Sequence, residues 1–185
     1  MNSPTVLSPT RTLVSTLAPA GPSPHSFGGP LGIDVDGWAA GYPLPHRVVT
    51  IDLSDPVFGL QRGSVPRLPL LYAFRIDACA MSYRITTATT VELVSCQGKP
   101  EADWPYPGYP GQFPRIPLRF DPVDSVPPAN AHGERPEPGE LLVVVPCSPA
   151  YGVSLWGEDG DAEGVQVLFR VAVTDRIVTA WNVCS

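Results

Sequence analysis

The segment VQVLFRVAV, residues 165–173, constrains the fold most strongly because its side chains alternate strictly. One face carries Val165, Val167, Phe169, Val171 and Val173, and the other carries Gln166, Leu168, Arg170 and Ala172. A period of two indicates a half-buried β-strand. Residues 174–176 then predict a turn, and IVTAWNVC, residues 177–184, predicts a returning strand. The sequence therefore predicts a C-terminal β-hairpin.

Further strands are predicted where β-branched and aromatic residues run together between turn signals. These segments are residues 47–53, 70–85, 89–96, 115–121 and 140–147. Pro117 predicts that the fourth segment is an edge strand, whereas the uninterrupted apolar run of the fifth predicts a central one. With six to eight strands and no convincing helix, we predict an all-β fold. An antiparallel, jelly-roll-like β-sandwich is favoured, with a β-barrel as the alternative.

The N-terminal quarter of the chain differs from the rest in composition. Residues 1–46 are rich in Pro, Ser, Thr and Gly, which predicts an extended N-terminal arm. A lone extended segment stays ordered only when something pairs with it or covers it, and a neighbouring chain is one such partner. The β-domain is predicted to span residues 47–185, with long proline-rich loops at residues 97–114 and 122–139.

Charge and hydropathy exclude several partners. Of the 185 residues, 43% are hydrophobic and only 16% are charged, and the net charge is −6. Nucleic-acid binding needs clustered Lys and Arg, so it is not predicted. The sparse charge leaves a large neutral surface of the kind that contacts another subunit. The sequence contains no run of 18 apolar residues, so no membrane-spanning helix is predicted. The N-terminal segment makes no convincing signal peptide, and localisation stays open.

The four cysteines, Cys79, Cys96, Cys147 and Cys184, are widely spaced and form no CxxC motif. A zinc site or a CxxC redox motif is therefore not predicted. Each cysteine lies within or beside an apolar run, which favours buried free thiols. One or two disulfides are the alternative in an oxidising compartment, and all three full pairings stay open.

Catalytic signatures are missing from the sequence. It has no P-loop and no dinucleotide-binding fingerprint. Nucleophilic hydrolysis needs a nucleophile and a base, yet His25, His46 and His132 all lie in Pro/Gly-rich segments. The segment GVSLWG around Ser154 lacks the spacing of a nucleophile elbow. We therefore assign no catalytic residue and predict a protein that is not an enzyme.

The acidic segment WGEDGDAEG, residues 156–164, raises the question of a calcium site. Its residues Asp159, Asp161 and Glu163 alternate beside glycines, and Ca²⁺ prefers carboxylate ligands. The twelve-residue spacing of an EF-hand is missing. A solvated turn is the favoured interpretation, and Ca²⁺ binding at these three residues is the alternative. No other cofactor is predicted.

The stretch DWPYPGYPGQFPRIP, residues 103–117, combines five prolines with Trp104, Tyr106, Tyr109 and Phe113. Three interpretations are open: a polyproline ligand for a partner domain, an aromatic platform for a protein or sugar, and a loop that packs onto its own fold. The last is favoured. If the four aromatic side chains face outward, however, they are the candidate interaction surface of the chain.

Together these features favour a non-enzymatic structural or interaction subunit of a larger assembly. A virion or capsid-associated protein, for decoration, cement or another minor structural role, is the form that fits by class analogy. The expected partners are copies of the chain itself or another structural chain, with no nucleic acid and no membrane. A secreted or surface β-sandwich that binds carbohydrate or protein is the first alternative, and a hydrolase with an unrecognised site is the second.

Overall fold

The fold is built from short β-strands, as the sequence predicts. The computed structural model describes residues 11–18, 22–58, 66–100, 107–123, 140–146, 152–157, 160, 164–172 and 174–184. The strands are β1 (Arg11–Leu17), β2 (His25–Phe27), β3 (Asp34–Asp36), β4 (His46–Asp52), β5 (Arg67–Tyr72), β6 (Ile76–Ile85), β7 (Thr90–Pro100), β8 (Ile116–Val123), β9 (Glu140–Val145), β10 (Val165–Ala172) and β11 (Ile177–Cys184). A turn of 3-10 helix, Pro56–Phe58, follows β4. The prediction of an all-β fold is confirmed.

All eleven strands belong to one sheet, which curls strongly into a half-barrel. The strand order is β3-β7-β6-β11-β10-β9-β1-β8-β2-β4-β5. Most neighbours are antiparallel, but β1 runs parallel to β9 and β3 runs parallel to β7. The two facing sheets of a sandwich or jelly roll are not confirmed, because every described strand is hydrogen-bonded into the same mixed sheet.

The C-terminal hairpin forms as the alternating pattern predicts. Strands β10 and β11 pair over their full length, from Val165 opposite Cys184 to Ala172 opposite Ile177. The alternating β10 side chains from Val165 onward enter the main core on the inner face of the sheet. The opposite face is also buried here, in a smaller cluster of Leu142, Val144, Leu168 and Trp181. Strand β9, which contributes to both clusters, lies between β10 and β1 and is central, as predicted.

The segment predicted as one strand at residues 70–85 is two strands with a corner between them. Strand β5 ends at Tyr72, and the Ile76 N–H donates to the Ala73 carbonyl at 3.1 Å, which closes a turn. No Gly, Pro or Asn marks this turn in the sequence. The corner buries Phe74 fully, so burial of the side chain, rather than a turn signal, accounts for the bend.

The prediction that Pro117 marks an edge strand is wrong, since β8 lies between β1 and β2. The Pro117 carbonyl accepts the Ala18 N–H at 3.1 Å. The N and C=O of a strand residue point to the same side, so the missing N–H of Pro117 faces the end of β1 rather than a continuing ladder. A central strand tolerates proline at such a position. The proline that does lie in an edge strand is Pro69, in β5.

Three short strands within residues 1–46, β1, β2 and β3, belong to the sheet, whereas the sequence suggests an extended arm. Strand β1 inserts between β9 and β8, and the Ser15 hydroxyl donates to the Val144 carbonyl at 3.1 Å. Strands β2 and β3 also pair with the rest of the sheet. The strands that pair with β1, β2 and β3 all come from later in the chain. Residues 28–33 and 37–45 lie outside the strands. Residues 1–10 and 19–21 lie outside the described residues.

The β5 edge of the sheet is covered by side chains from the interior of the half-barrel. Strand β5 ends the strand order and packs against β6 and β11. The hydroxyl of Tyr83, a β6 side chain that is 0% exposed, accepts the Leu71 N–H at 2.8 Å and donates to the Pro69 carbonyl at 2.9 Å. The Tyr72 hydroxyl ties β5 to β6 a second time, by donating to the Cys79 carbonyl at 2.8 Å. The Tyr83 hydroxyl thus satisfies two backbone groups that the edge strand β5 would otherwise leave unpaired.

Candidate functional site

The structure describes two of the four aromatic residues of the predicted interaction surface, Tyr109 and Phe113. Tyr109 and Phe113 are only 6% and 1% exposed. The Tyr109 hydroxyl donates to the Leu155 carbonyl at 2.6 Å, and the Phe113 ring stacks on Phe27 with centroids 5.3 Å apart. For these two residues the loop closes one end of the core, and burial argues against a contact surface. Trp104 and Tyr106 lie outside the described residues, and for them the surface stays a prediction.

His46 lies at the centre of this aromatic packing. Its ring is 5.0 Å from Phe113, 5.3 Å from Tyr109 and 5.6 Å from Phe74, measured between centroids. Its Nε2 lies 2.7 Å from the Pro110 carbonyl, which can only accept, so Nε2 carries the proton. Its Nδ1 is buried and has no hydrogen-bond partner among the described residues. Burial lowers the pKa of His46, and the positive charge of Arg75 adds to the effect. His46 is therefore a neutral, enclosed side chain that holds the loop.

His25 is also buried, and both of its ring nitrogens are engaged. Its Nδ1 accepts the Asp52 N–H at 3.0 Å, so the proton is on Nε2, which donates to the Asp55 carboxylate at 2.9 Å. The rings of Phe58 and Phe120 pack edge-on against it, with centroids 5.4 and 5.1 Å away. With no free nitrogen, His25 has no site at which to take a proton from a substrate. The pair anchors the turn after β4.

The remaining candidates for a hydrolase do not come together in the described residues. The Ser154 hydroxyl is buried and has no hydrogen-bond partner there, so it forms no Ser–His pair with His25 or His46. His132 lies outside the described residues.

The calcium prediction concerns residues that the structure does not describe. Asp159, Asp161 and Glu163 all lie outside the described residues, so a Ca²⁺ site there stays a prediction. Within the described ranges, no group of three or more His, Cys, Asp or Glu side chains is placed to hold a metal ion.

Two of the four cysteines can be placed, and both are free thiols. Cys79 is buried on β6, and Cys96 is partly exposed on β7. The sequence leaves their pairing open, because Cys79 and Cys96 become neighbours only through the register of β6 and β7. Cys147 and the side chain of Cys184 lie outside the described residues.

The second edge of the sheet, unlike β5, is open. Strand β3 pairs with only the first three residues of β7, Thr90 to Glu92. From residue 93 to 100, the outer side of β7 has no strand partner in the described parts of the chain, and most of its side chains are exposed. We call residues 93–100 the β7 edge. An unpaired strand edge presents N–H and C=O groups that can pair with another chain.

Two features restrain indiscriminate pairing at the β7 edge. The register shifts between the pairs Ser82–Ser95 and Tyr83–Leu93, which makes Val94 a bulge residue. Lys99, the single lysine of the chain, lies near the end of the strand. Bulges and lysines are devices by which proteins limit edge-to-edge aggregation. Val94 is nevertheless apolar and 52% exposed. The β7 edge is therefore accessible, and its bulge and charge limit which chains can pair with it.

Comparison with known proteins adds no assignment: no family model, curated protein or solved structure matches the chain. Among the described residues, no helix has the length and apolar character needed to cross a membrane.

Proposed function

We propose that the protein is a non-enzymatic structural or interaction subunit that associates with copies of itself through the β7 edge. The observation that carries the proposal is the contrast between the two ends of the sheet. The Tyr83 hydroxyl bonds to the β5 edge, whereas the β7 edge has no strand partner in the described parts of the chain and most of its side chains are exposed. Strand addition to such an edge is a common mode of protein recognition.

The free energy available at this edge suits a multivalent assembly rather than a tight dimer. A strand added along about eight residues forms about eight hydrogen bonds, each contributing a net ~1 kcal/mol. Association itself costs about 4–15 kcal/mol in lost translational and rotational freedom, so the two terms nearly cancel. One edge contact is then weak, and several such contacts in one particle would act together.

A virion or capsid-associated role, such as decoration or cement, is the finer form of this proposal. It is supported by the all-β fold, the low fraction of charged residues and the lack of catalytic motifs in the sequence. A jelly-roll-like arrangement of the curled sheet belongs to the same proposal, since that architecture recurs in viral capsid proteins. The other structural chain of such a particle is the alternative partner of the β7 edge.

The two alternative functions have less support. An aromatic binding platform loses two of its four residues, because Tyr109 and Phe113 are buried. A hydrolase would need an accessible base, and neither His25 nor His46 offers one to a substrate. The proposal of a non-enzymatic subunit therefore stands ahead of both.

A matched pair of substitutions tests the proposal. Val94→Lys places a charge on the β7 edge, and Leu44→Lys makes the same kind of change at a residue that is 61% exposed and outside any strand. Light scattering of the wild-type protein should give a mass above the monomer value of 19.8 kDa that rises with concentration. Val94→Lys should shift this association to at least tenfold higher concentration, because it adds a positive charge to the pairing strand of each copy. Leu44→Lys should not.

Two results would contradict association through this edge. The first is a wild-type mass of 19.8 kDa at every concentration. The second is equal dissociation by both substitutions, which would place the contact elsewhere or attribute it to general charge repulsion. Circular dichroism of each variant shows whether the sheet is retained.

A further inference from the structure

Cys79 and Cys96 lie next to each other across the β6–β7 ladder. Cys96 is directly opposite Met81, and opposite residues of an antiparallel pair point to the same face. Cys79 precedes Met81 by two residues and shares that face, where both Cys79 and Met81 are buried in the main core. The two cysteines are therefore diagonal neighbours on the inner face of the sheet, although 16 residues separate them in the chain.

A bulge adjusts the backbone at this position. The ladder shifts register between Asp77 and Ala80, so that Ala78 and Cys79 together oppose Gly98. Ala78 adopts a left-handed backbone conformation with φ of 48°, which is uncommon for a residue other than glycine. Gly98 has φ of 96°, and a Cβ there would meet the Asp77 carbonyl oxygen and, at 2.8 Å, Ile76 Cγ2. The chain thus holds strained backbone where it turns Cys79 inward, and such strain tends to mark functional positions.

The two thiols differ in exposure and in pKa, as the attacking and resolving thiols of a disulfide exchange do. Cys79 is buried, whereas Cys96 is partly exposed on β7. The interaction with the neighbouring Cys79 thiol lowers the pKa of Cys96 to about 7. The interaction with Cys96, together with burial, raises the pKa of Cys79. Thiolate is the reactive form of cysteine, so Cys96 is the nucleophile and Cys79 is the resolving thiol beside it.

We propose that Cys79 and Cys96 form a redox-active dithiol that exchanges with small disulfides of the glutathione class. The Cys96 thiolate attacks one sulfur of oxidised glutathione, whose S–S bond breaks and releases one glutathione as a thiolate. The Cys79 sulfur then attacks the Cys96 sulfur of this mixed disulfide. The second glutathione departs and takes the proton of Cys79. The protein is oxidised by two electrons to a Cys79–Cys96 disulfide, and one glutathione disulfide is reduced to two glutathione molecules.

Cys96 belongs to the β7 edge, but the dithiol and the proposed association use different parts of the strand. Its two residues face the core side of the ladder, whereas association involves the unpaired backbone of β7. A CxxC motif supplies the same two thiols from one turn of chain. Here they come from neighbouring strands, which is why no sequence motif reports them.

Titration against glutathione redox buffers tests the proposal on the full-length protein. Samples equilibrated at rising ratios of oxidised to reduced glutathione are quenched with an alkylating agent and digested without reduction. We expect two alkylatable thiols to disappear together and one cross-linked peptide pair to appear, containing Cys79 and Cys96. The double variant Cys147→Ser/Cys184→Ser should behave identically, because it retains both residues of the site.

The variant Cys79→Ala adds a kinetic test at pH 7. A pKa of about 7 makes half of Cys96 thiolate, whereas the ordinary value of 9.0 makes about one part in a hundred thiolate, a loss of about fiftyfold. The higher intrinsic nucleophilicity of the less acidic thiolate recovers about eightfold. Alkylation of Cys96 should therefore slow by about sixfold, and a glutathione mixed disulfide should accumulate on it.

Three outcomes would overturn the proposal. One is a stable glutathione adduct on wild-type Cys96 with no cross-linked pair, since a neighbouring Cys79 would resolve it. Another is a cross-link that uses Cys147 or Cys184. The third is an alkylation rate of Cys96 that does not change in Cys79→Ala.

Discussion

Replacing Tyr83 with phenylalanine removes one oxygen atom from the place where the half-barrel closes. The Tyr83 hydroxyl is bonded to the Leu71 N–H at 2.8 Å and to the Pro69 carbonyl at 2.9 Å, both on the free side of β5. The phenylalanine ring would keep the same packing. The variant therefore tests the two hydrogen bonds alone.

The expected cost follows from the burial of the two backbone groups. Tyr83 is 0% exposed, so water has little access to the N–H and C=O that lose their partner. Each buried, unpaired backbone group costs about 1–3 kcal/mol. Tyr83→Phe should therefore lower the free energy of unfolding by about 2–6 kcal/mol, out of a total of about 5–15 kcal/mol for a domain.

Urea unfolding followed by tryptophan fluorescence measures this difference. With a typical slope of about 2 kcal/mol per molar urea, the midpoint should fall by about 1–3 M. Tyr42→Phe is the control, because Tyr42 is 37% exposed and should change stability by less than about 0.5 kcal/mol. Equal stability of the two variants would refute the role of Tyr83 in closing the β5 edge.

Three further predictions concern stability. Burial lowers the pKa of His46, so the unfolded chain takes up a proton near pH 6.5 before the folded chain does. The free energy of unfolding should therefore fall as pH decreases below about 6.5. A His46→Gln variant should show a weaker dependence of the free energy of unfolding on pH. Gly98→Ala should cost about 2 kcal/mol more than Gly108→Ala in urea unfolding, because both have positive φ but only at Gly98 is the Cβ position occupied by neighbouring atoms; equal costs would exclude the tight bulge. Closing the Cys79–Cys96 disulfide should raise the free energy of unfolding by about 3 kcal/mol for a loop of this length, and an unchanged urea midpoint would contradict that.

Local sequence patterns correctly predict the parts of the fold that depend on residues close together in the chain. The alternation from Val165 onward predicts β10 and the C-terminal hairpin, and the apolar run of β9 predicts a central strand. Both follow because period and hydropathy report burial directly. The corner at residues 73–75 escaped this reasoning, because its cause is the burial of Phe74 in a core assembled from distant strands.

Long-range register accounts for what sequence reasoning missed. The place of β1 between β9 and β8, the half-barrel and the Tyr83 contact with β5 all join residues far apart in sequence. The prediction of an edge strand at Pro117 was wrong for the same reason. Whether a missing N–H matters depends on where the partner strand ends. The adjacency of Cys79 and Cys96 likewise depends on a bulge that no local pattern reveals.

Hydrogen exchange at the β7 edge tests the proposed association most directly. Amide hydrogens of residues 93–100 that face away from β6 have no strand partner in the described chain, so they should exchange rapidly in dilute protein. If copies associate by strand addition, these amides should become protected as concentration rises, while protection in the closed β5 strand stays constant. Rapid exchange of residues 93–100 at concentrations where the protein is oligomeric would contradict association through this edge.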